Sequence, residues 1–277
     1  MTQPERSRRV LLAALDGQVT LELLDGDDPA ADDLLWQRLL RAWSRCLVDG
    51  ELADDAGSAG QRVTVRLGRH DPFPNDANRV QGTDPDPLMQ LVTQQVTHAF
   101  IEQQVGRLFL AHAGGVTHPV TGASLVFIAP GGTGKTTLAC TLARQYGYLS
   151  DETVGMRTDG TIAAYPKPLS LRGTDPHKAE TSPDDLGLLP AHATPWLAKL
   201  VVLDRVALAT SGVRVSPLAT LDAIEAMASQ TSSLGRLPRA LHVVADLLAS
   251  TGGAERWTYT EHTDLLDRAA TLLGGRP

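Results

Sequence analysis

The chain has 277 residues, enough for one large domain or two modest ones and for a sizeable buried core in either case. Hydrophobic residues at 42% and charged residues at 21% describe a globular protein, and a net charge of −7 argues against nonspecific binding to nucleic acid or to an anionic membrane, since both need a basic surface to displace counterions. The two cysteines, Cys46 and Cys140, lack C-x-x-C spacing and fit a reducing cytosol better than a disulfide framework.

Residues Met1 to Arg9 have no long apolar stretch behind their charges, and no run of about eighteen apolar residues occurs, so a cytoplasmic location is expected. Val10 to Leu24 holds two short apolar runs around Asp16-Gly17, a turn dipeptide that predicts a β-hairpin. Asp32 to Leu47 is helical by the spacing of Leu35, Leu39, Leu40, Trp43 and Leu47. The acidic, glycine-bearing stretch from Asp49 to Gly60 reads as loop, and Arg62 to Leu67 alternates as a strand does. Pro72, Pro74, Pro85 and Pro87 then mark a linker or surface excursion that regular helix does not fit.

Leu88 to Leu110 is the longest helical pattern and is expected to brace a sheet. Gly114-Gly115-Val116 and Leu125 to Ile128 read as strands joined across Thr121-Gly122, which makes the sheet mixed. Val154 to Arg157 and Thr161 to Tyr165 flank Asp159-Gly160 as a second hairpin. Leu197 to Leu203 is the most buried-looking strand, and Leu221 to Met227 and Ala240 to Ala249 are helical. These signals predict an α/β protein with a small α+β module over residues 1–87 and a nucleotide-binding core over 88–277.

The most informative run is Ser124 to Ala139. An apolar strand enters Pro130-Gly131-Gly132-Thr133-Gly134-Lys135-Thr136-Thr137, and a helix follows at once. Glycines allow backbone N–H groups to turn inward around an anion. In this pattern Gly131, Gly132, Thr133, Gly134 and Thr137 cradle a triphosphate, Lys135 reaches its terminal phosphates, and the Thr136 hydroxyl holds Mg²⁺. Ala129 stands where the usual template has its first glycine.

Leu110-Ala111-His112-Ala113, this loop, Leu149-Ser150-Asp151-Glu152 and Tyr165-Pro166-Lys167-Pro168-Leu169-Ser170-Leu171-Arg172 together resemble the HPr kinase-like group of nucleotide-binding proteins, over about half of the chain. Arg256 to Thr260, followed by a helix from Thr263 to Leu273, is similar to the ends of such chains. The resemblance implies a fold like that of phosphoenolpyruvate carboxykinase, with the loop set in a mixed sheet. It also implies an ATP- and Mg²⁺-dependent kinase. Thr136 stands in place of the group's serine and Glu152 in place of its second aspartate, and the signature that engages the HPr protein is absent. The implied acceptor is therefore a hydroxyl of another small molecule or peptide. The group's ring assembly is not carried over, and a homo-oligomer is left open.

Phosphoryl transfer needs charge neutralisation, a metal and a group that orients the attacking hydroxyl. Asp151 is the candidate base, Glu152 a metal ligand acting through water, and His112, near the phosphates in the resembling enzymes, a stabiliser of charge beside Lys135. Asp204 ends Leu200-Val201-Val202-Leu203 as a metal-binding strand-end carboxylate does, but with the acidic pair at Asp151 and Glu152 taking the metal, Asp204-Arg205 reads as a strand-end ion pair or turn. Lys167 and Arg172 suit a substrate anion or a solvated surface. Residues 173–188 are long enough for a lid or acceptor loop. A nucleotide switch that hydrolyses slowly and engages a partner is the alternative to a kinase, and carboxykinase chemistry ranks last.

Overall fold

The computed structural model describes residues 7–48, 61–69, 73, 78–172, 177–207 and 212–274; the stretch 49–60, Pro72, Pro74 and the first part of 173–188 lie outside them. The backbone clusters into two compact units, Met1–Gln103 with Lys167–Leu186, and Gln104–Pro166 with Gly187–Pro277.

In the first unit, β1 (Ser7–Ala14) and β2 (Gly17–Leu24) form the expected hairpin, with Ala14 opposite Gly17. Its turn residues are Leu15 and Asp16, at φ +47° and +57°, one step earlier than the Asp16-Gly17 reading. A two-residue hairpin turn demands left-handed backbone at both positions, which a leucine resists. Leu15 is only 1% exposed, so its burial offsets that strain. Helix α1 (Pro29–Ala42) begins where the Asp28 carboxylate accepts the Ala30 N–H at 2.9 Å and Pro29 occupies a position whose N–H has no helical partner. A 3₁₀ turn over Ser44–Cys46 follows.

β3 (Gln61–Leu67) runs parallel to β2, and β4 (Arg79–Gly82) parallel to β3, in the order β1-β2-β3-β4. β4 lies in the stretch read as linker, and α2 (Pro85–Gln104) contradicts the exclusion of helix there. Pro85 and Pro87 fall in its first turn, where missing N–H groups cost nothing. The far end of α2 is tied to β2, since Gln103 both accepts from the Gln18 N–H at 3.2 Å and donates to the Gln18 carbonyl at 2.9 Å.

The second unit opens with β5 (Phe109–Ala111), β6 (Ala113–Thr117) and β7 (Ala123–Ile128), then α3 (Lys135–Leu142), β8 (Gly147–Ser150), β9 (Val154–Met156) and β10 (Ile162–Ala163). The chain next returns to the first unit as the antiparallel pair β11 (Leu169–Arg172) and β12 (Lys178–Thr181). The acidic stretch after β12, read as part of a lid, is fixed instead to the end of α1. Asp185 receives both guanidinium N–H groups of Arg41 at 2.8 Å, and Asp184 binds Arg45 at 2.8 Å and the Ser44 hydroxyl at 2.7 Å. These carboxylates are spent on structure.

The second unit resumes with β13 (Leu189–Pro190), β14 (Trp196–Arg205), β15 (Arg214–Leu218), α4 (Thr220–Ala228), β16 (Thr231–Ser232), α5 (Ala240–Ser250), β17 (Ala254–Tyr259) and, after a 3₁₀ turn at His262–Leu265, α6 (Leu266–Leu272). Its main sheet has seven strands in the order β13-β8-β6-β7-β14-β17-β15, and a four-stranded sheet has the order β10-β9-β5-β16. The main sheet is mixed as expected: β7, β14 and β17 are parallel, and β6 runs antiparallel to β7 and β8. Every residue of β7 is buried, which explains its unbroken apolar run. Val126, Ile128, Leu200 and Val202 share one apolar cluster with Phe109 and Met156 of the smaller sheet and Leu247 and Leu248 of α5. No helix among the described residues is long and apolar enough to cross a membrane.

Consecutive strands change sheet across a joint of one to three residues at two places. His112 is the single residue between β5 and β6, and Asp151-Glu152-Thr153 separate β8 from β9. The joints are neighbours, because the Ala113 N–H donates to the Glu152 carbonyl at 3.0 Å.

Gly114 faces Phe127 across the β6–β7 pair, and a Cβ at 114 would lie 2.2 Å from that ring, which is fully buried. Gly114→Ala is expected to cost about 1–3 kcal/mol by overpacking. Gly235→Ala, where a Cβ meets nothing within 4 Å, is the control. Thermal unfolding followed by circular dichroism should show a melting temperature several degrees lower for the first variant and no loss for the second.

Candidate functional site

The carboxyl end of β7 leads through Ala129 to Gly134 into α3. Gly132 at φ +81° and Gly134 at φ +102° hold left-handed conformations that side chains disfavour, which turns the backbone sharply before the helix. Gly131 has no such requirement, and a Cβ at 131, 132 or 134 would meet nothing within 4 Å. The loop is thus exposed along one side. Among the described residues, no protein acceptor takes the N–H groups from Gly131 to Thr137.

One long-range bond and three local ones hold the loop in shape. The Thr133 hydroxyl donates to the Pro130 carbonyl at 2.8 Å, and the Tyr259 phenol, at the end of β17, donates to the Thr133 carbonyl at 3.0 Å. Lys135 is only 6% exposed and curls back on the loop, where its ammonium binds the Ala129 carbonyl and, at 3.3 Å, that of Pro130. Burial lowers the Lys135 pKa, while Asp151 and Glu152 raise it.

Thr136, in the first turn of α3, donates its hydroxyl to Asp151 Oδ2 at 2.8 Å. The other oxygen, Oδ1, accepts from the Tyr148 phenol at 2.9 Å. Asp151 is 6% exposed and Tyr148 fully buried, so this carboxylate is withdrawn from water and bound by hydroxyls on both sides. Tyr148 carries no site signal in the sequence beyond its place three residues before Asp151 on a short strand. Burial, then the Asp151 charge, raises the Tyr148 pKa well above 10. The Cys140 thiol on α3 is pushed up to about 11, by burial first and Asp151 second, which suits a plain packing role.

His112 and Glu152 occupy the two joints. The His112 N–H donates to the Gln230 carbonyl at 2.7 Å, fixing the joint to the chain just before β16. Its imidazole feels burial first and Lys135 second, which lower its pKa, and Glu152 and Asp151, which raise it; the net direction is down from 6.5. Lys135, Thr136, Asp151, His112 and Glu152 are therefore one electrostatic cluster at the start of α3. Thr137 is exposed, with its carbonyl taken by Thr141.

Of three further candidates, one borders the loop and two belong to the first unit. Asp204 is exposed at the end of β14, accepts weakly from Thr258 at 3.4 Å, and lines an open cleft of about 650 Å³ with Arg205, Glu261 and loop residues 130–133. Lys167 is 1% exposed in the first unit, with its ammonium on the Pro168 carbonyl at 2.8 Å, which corrects the solvated-surface alternative. Arg172 ends β11 and is exposed. Among the described residues, no group of three or more His, Cys, Asp or Glu is arranged to hold a metal by itself. Any cation here would need Thr136 and a ligand's own oxygens.

A histidine held below 6.5 is neutral at pH 7. Its contribution to stability is complete above 6.5 and is lost as pH falls through the lowered folded value. NMR titration should find His112 below 6.5 and Lys135→Met should move it upward, since the ammonium is one of two causes. An unchanged value in the variant would separate the two side chains.

No family model and no curated protein matches the chain. Among solved structures it is similar to the Hpr(Ser) kinase/phosphatase from Coxiella burnetii, at 10% identity and a TM-score of 0.32, over 59% of this chain and 96% of that one. A likeness so slight carries no argument about function.

Proposed function

We propose that the protein is an ATP- and Mg²⁺-dependent kinase that transfers the γ-phosphoryl group to a hydroxyl of a small molecule or peptide. The observation that carries this reading is the run of N–H groups from Gly131 to Thr137, open at Gly131 and Gly132, for which the described residues supply no acceptor, next to a buried lysine and a hydroxyl–carboxylate pair. Converging backbone donors at a helix start suit phosphate oxygens, and the glycines leave the approach open.

The donor set also fits Mg²⁺. Thr136 Oγ1 and Asp151 Oδ2 are hard oxygens 2.8 Å apart, while the nearby Cys140 thiol stays protonated. Bound with the triphosphate, Mg²⁺ neutralises charge on the phosphate oxygens. Lys135 would exchange its two carbonyl contacts for the terminal phosphates, a stronger partner because both groups are charged. The loop amides orient the triphosphate without rearrangement.

Both Asp151 oxygens are engaged by hydroxyls, the arrangement of a metal-side carboxylate. This shifts the metal role from Glu152 to Asp151. The base role passes to the β5–β6 joint. Neutral His112, backed by Glu152, would take the proton of the acceptor hydroxyl as its oxygen bonds to the γ-phosphorus and the bond to the β-phosphate oxygen breaks.

Calorimetry should detect Mg²⁺–ATP binding, weakened about tenfold or more, roughly 1.4 kcal/mol, by Lys135→Ala. With γ-labelled ATP and a pool of metabolites and peptides, the wild type should transfer label and Asp151→Asn should not. Absence of heat with both Mg²⁺–ATP and Mg²⁺–GTP would end the nucleotide reading. Tight binding without transfer to any acceptor would favour the switch.

A further inference from the structure

We infer that Tyr148 is a positioning residue, which fixes the Asp151 carboxylate so that one chosen oxygen serves the metal together with Thr136. This rests on the kinase reading and adds to it a residue that works through another.

A carboxylate offers two nearly equivalent oxygens and rotates readily about its last bond. Without a fixed partner, such a group would present either oxygen, or both, to a cation. The phenol of Tyr148 removes that freedom by occupying Oδ1 at 2.9 Å, which leaves Oδ2 directed at the Thr136 hydroxyl 2.8 Å away. Tyr148 is itself immobile. It is fully buried on β8, whose backbone is paired with β6 on one side and β13 on the other. Thr136 is fixed in the first turn of α3. Two hydroxyls on two rigid elements therefore define the carboxylate plane before any ligand arrives.

The consequence for metal binding is a single-oxygen contact from Asp151. Mg²⁺ demands near-octahedral geometry with separate ligands, so a carboxylate that binds through one oxygen leaves room for phosphate oxygens and water. Hydrogen-bonding partners behind a metal ligand are commonly worth about 10–100-fold in metal affinity. Phenylalanine at 148 would keep the ring and delete the bond.

The test separates metal from nucleotide. Mn²⁺ binding to the protein–ATP complex is followed by electron paramagnetic resonance, and metal-free ATP binding by calorimetry in chelator. Tyr148→Phe should weaken Mn²⁺ by about tenfold or more and leave metal-free ATP affinity within about twofold. In the Asp151→Asn background the same substitution should have no further effect, since the partner oxygen's charge is already gone. If Tyr148→Phe does not fold, 3-fluorotyrosine at 148 keeps the shape while making the phenol a stronger donor to Oδ1, which holds the carboxylate more firmly, and Mn²⁺ affinity should rise. Wild-type affinity for Mn²⁺ in either variant overturns the inference and leaves the kinase reading standing. A wild type that binds no Mn²⁺–ATP overturns both.

Discussion

Everything at the head of α3 turns on a carboxylate that has been taken out of water. A buried, ionised aspartate is tolerated only when its oxygens are bonded, because the solvation it loses is worth several kcal/mol. At Asp151 the bonds to its two oxygens come from neutral hydroxyls, those of Thr136 and Tyr148. Hydroxyls give each oxygen a bond without bringing a cation of their own.

The second constraint is topological. The two strand pairs that leave the main sheet for the smaller one do so at neighbouring points, and the residues at those points, His112 and Glu152, are neither paired strand nor long loop. A residue at such a joint cannot alternate in or out of a sheet face. It is held by the sheets on both sides while its side chain is left to local chemistry. The rigid scaffold thus delivers polar groups to the end of β6 and β8 without a long loop to carry them.

Much of this was legible in the sequence because its determinants are local. The β6–β7 hairpin, the glycine loop and α3 follow from turn residues and an apolar run, and β14 from an apolar stretch that only a strand covered on both faces requires. What was missed depends on partners far along the chain. β12 reads Lys-Ala-Glu-Thr with no apolar alternation, because it is a strand only by pairing with β11. The acids at 184 and 185 gave a loop signal, and only the guanidinium groups of Arg41 and Arg45, more than a hundred residues away, make them anchors. Pro85 and Pro87 look like helix breakers unless one knows that the helix starts with them. Within the site, Tyr148 reads as one more apolar residue on a buried strand, since its phenol matters only once Asp151 is placed three residues on. Tyr259 has no local signature at all, as its bond to Thr133 spans 126 residues.

The passage of the chain back into the first unit at Lys167 and out again after Leu186 has a consequence for how the protein can be divided. Three covalent crossings link the units, so no single truncation yields either of them whole. A fragment beginning at Gln104 would carry the β11–β12 ribbon without the Arg41 and Arg45 anchors that its acids require, and one ending at Gln103 would lack that ribbon altogether. Recombination between homologues, or proteolysis between the units, would therefore separate an intact half only by breaking the chain at all three crossings at once.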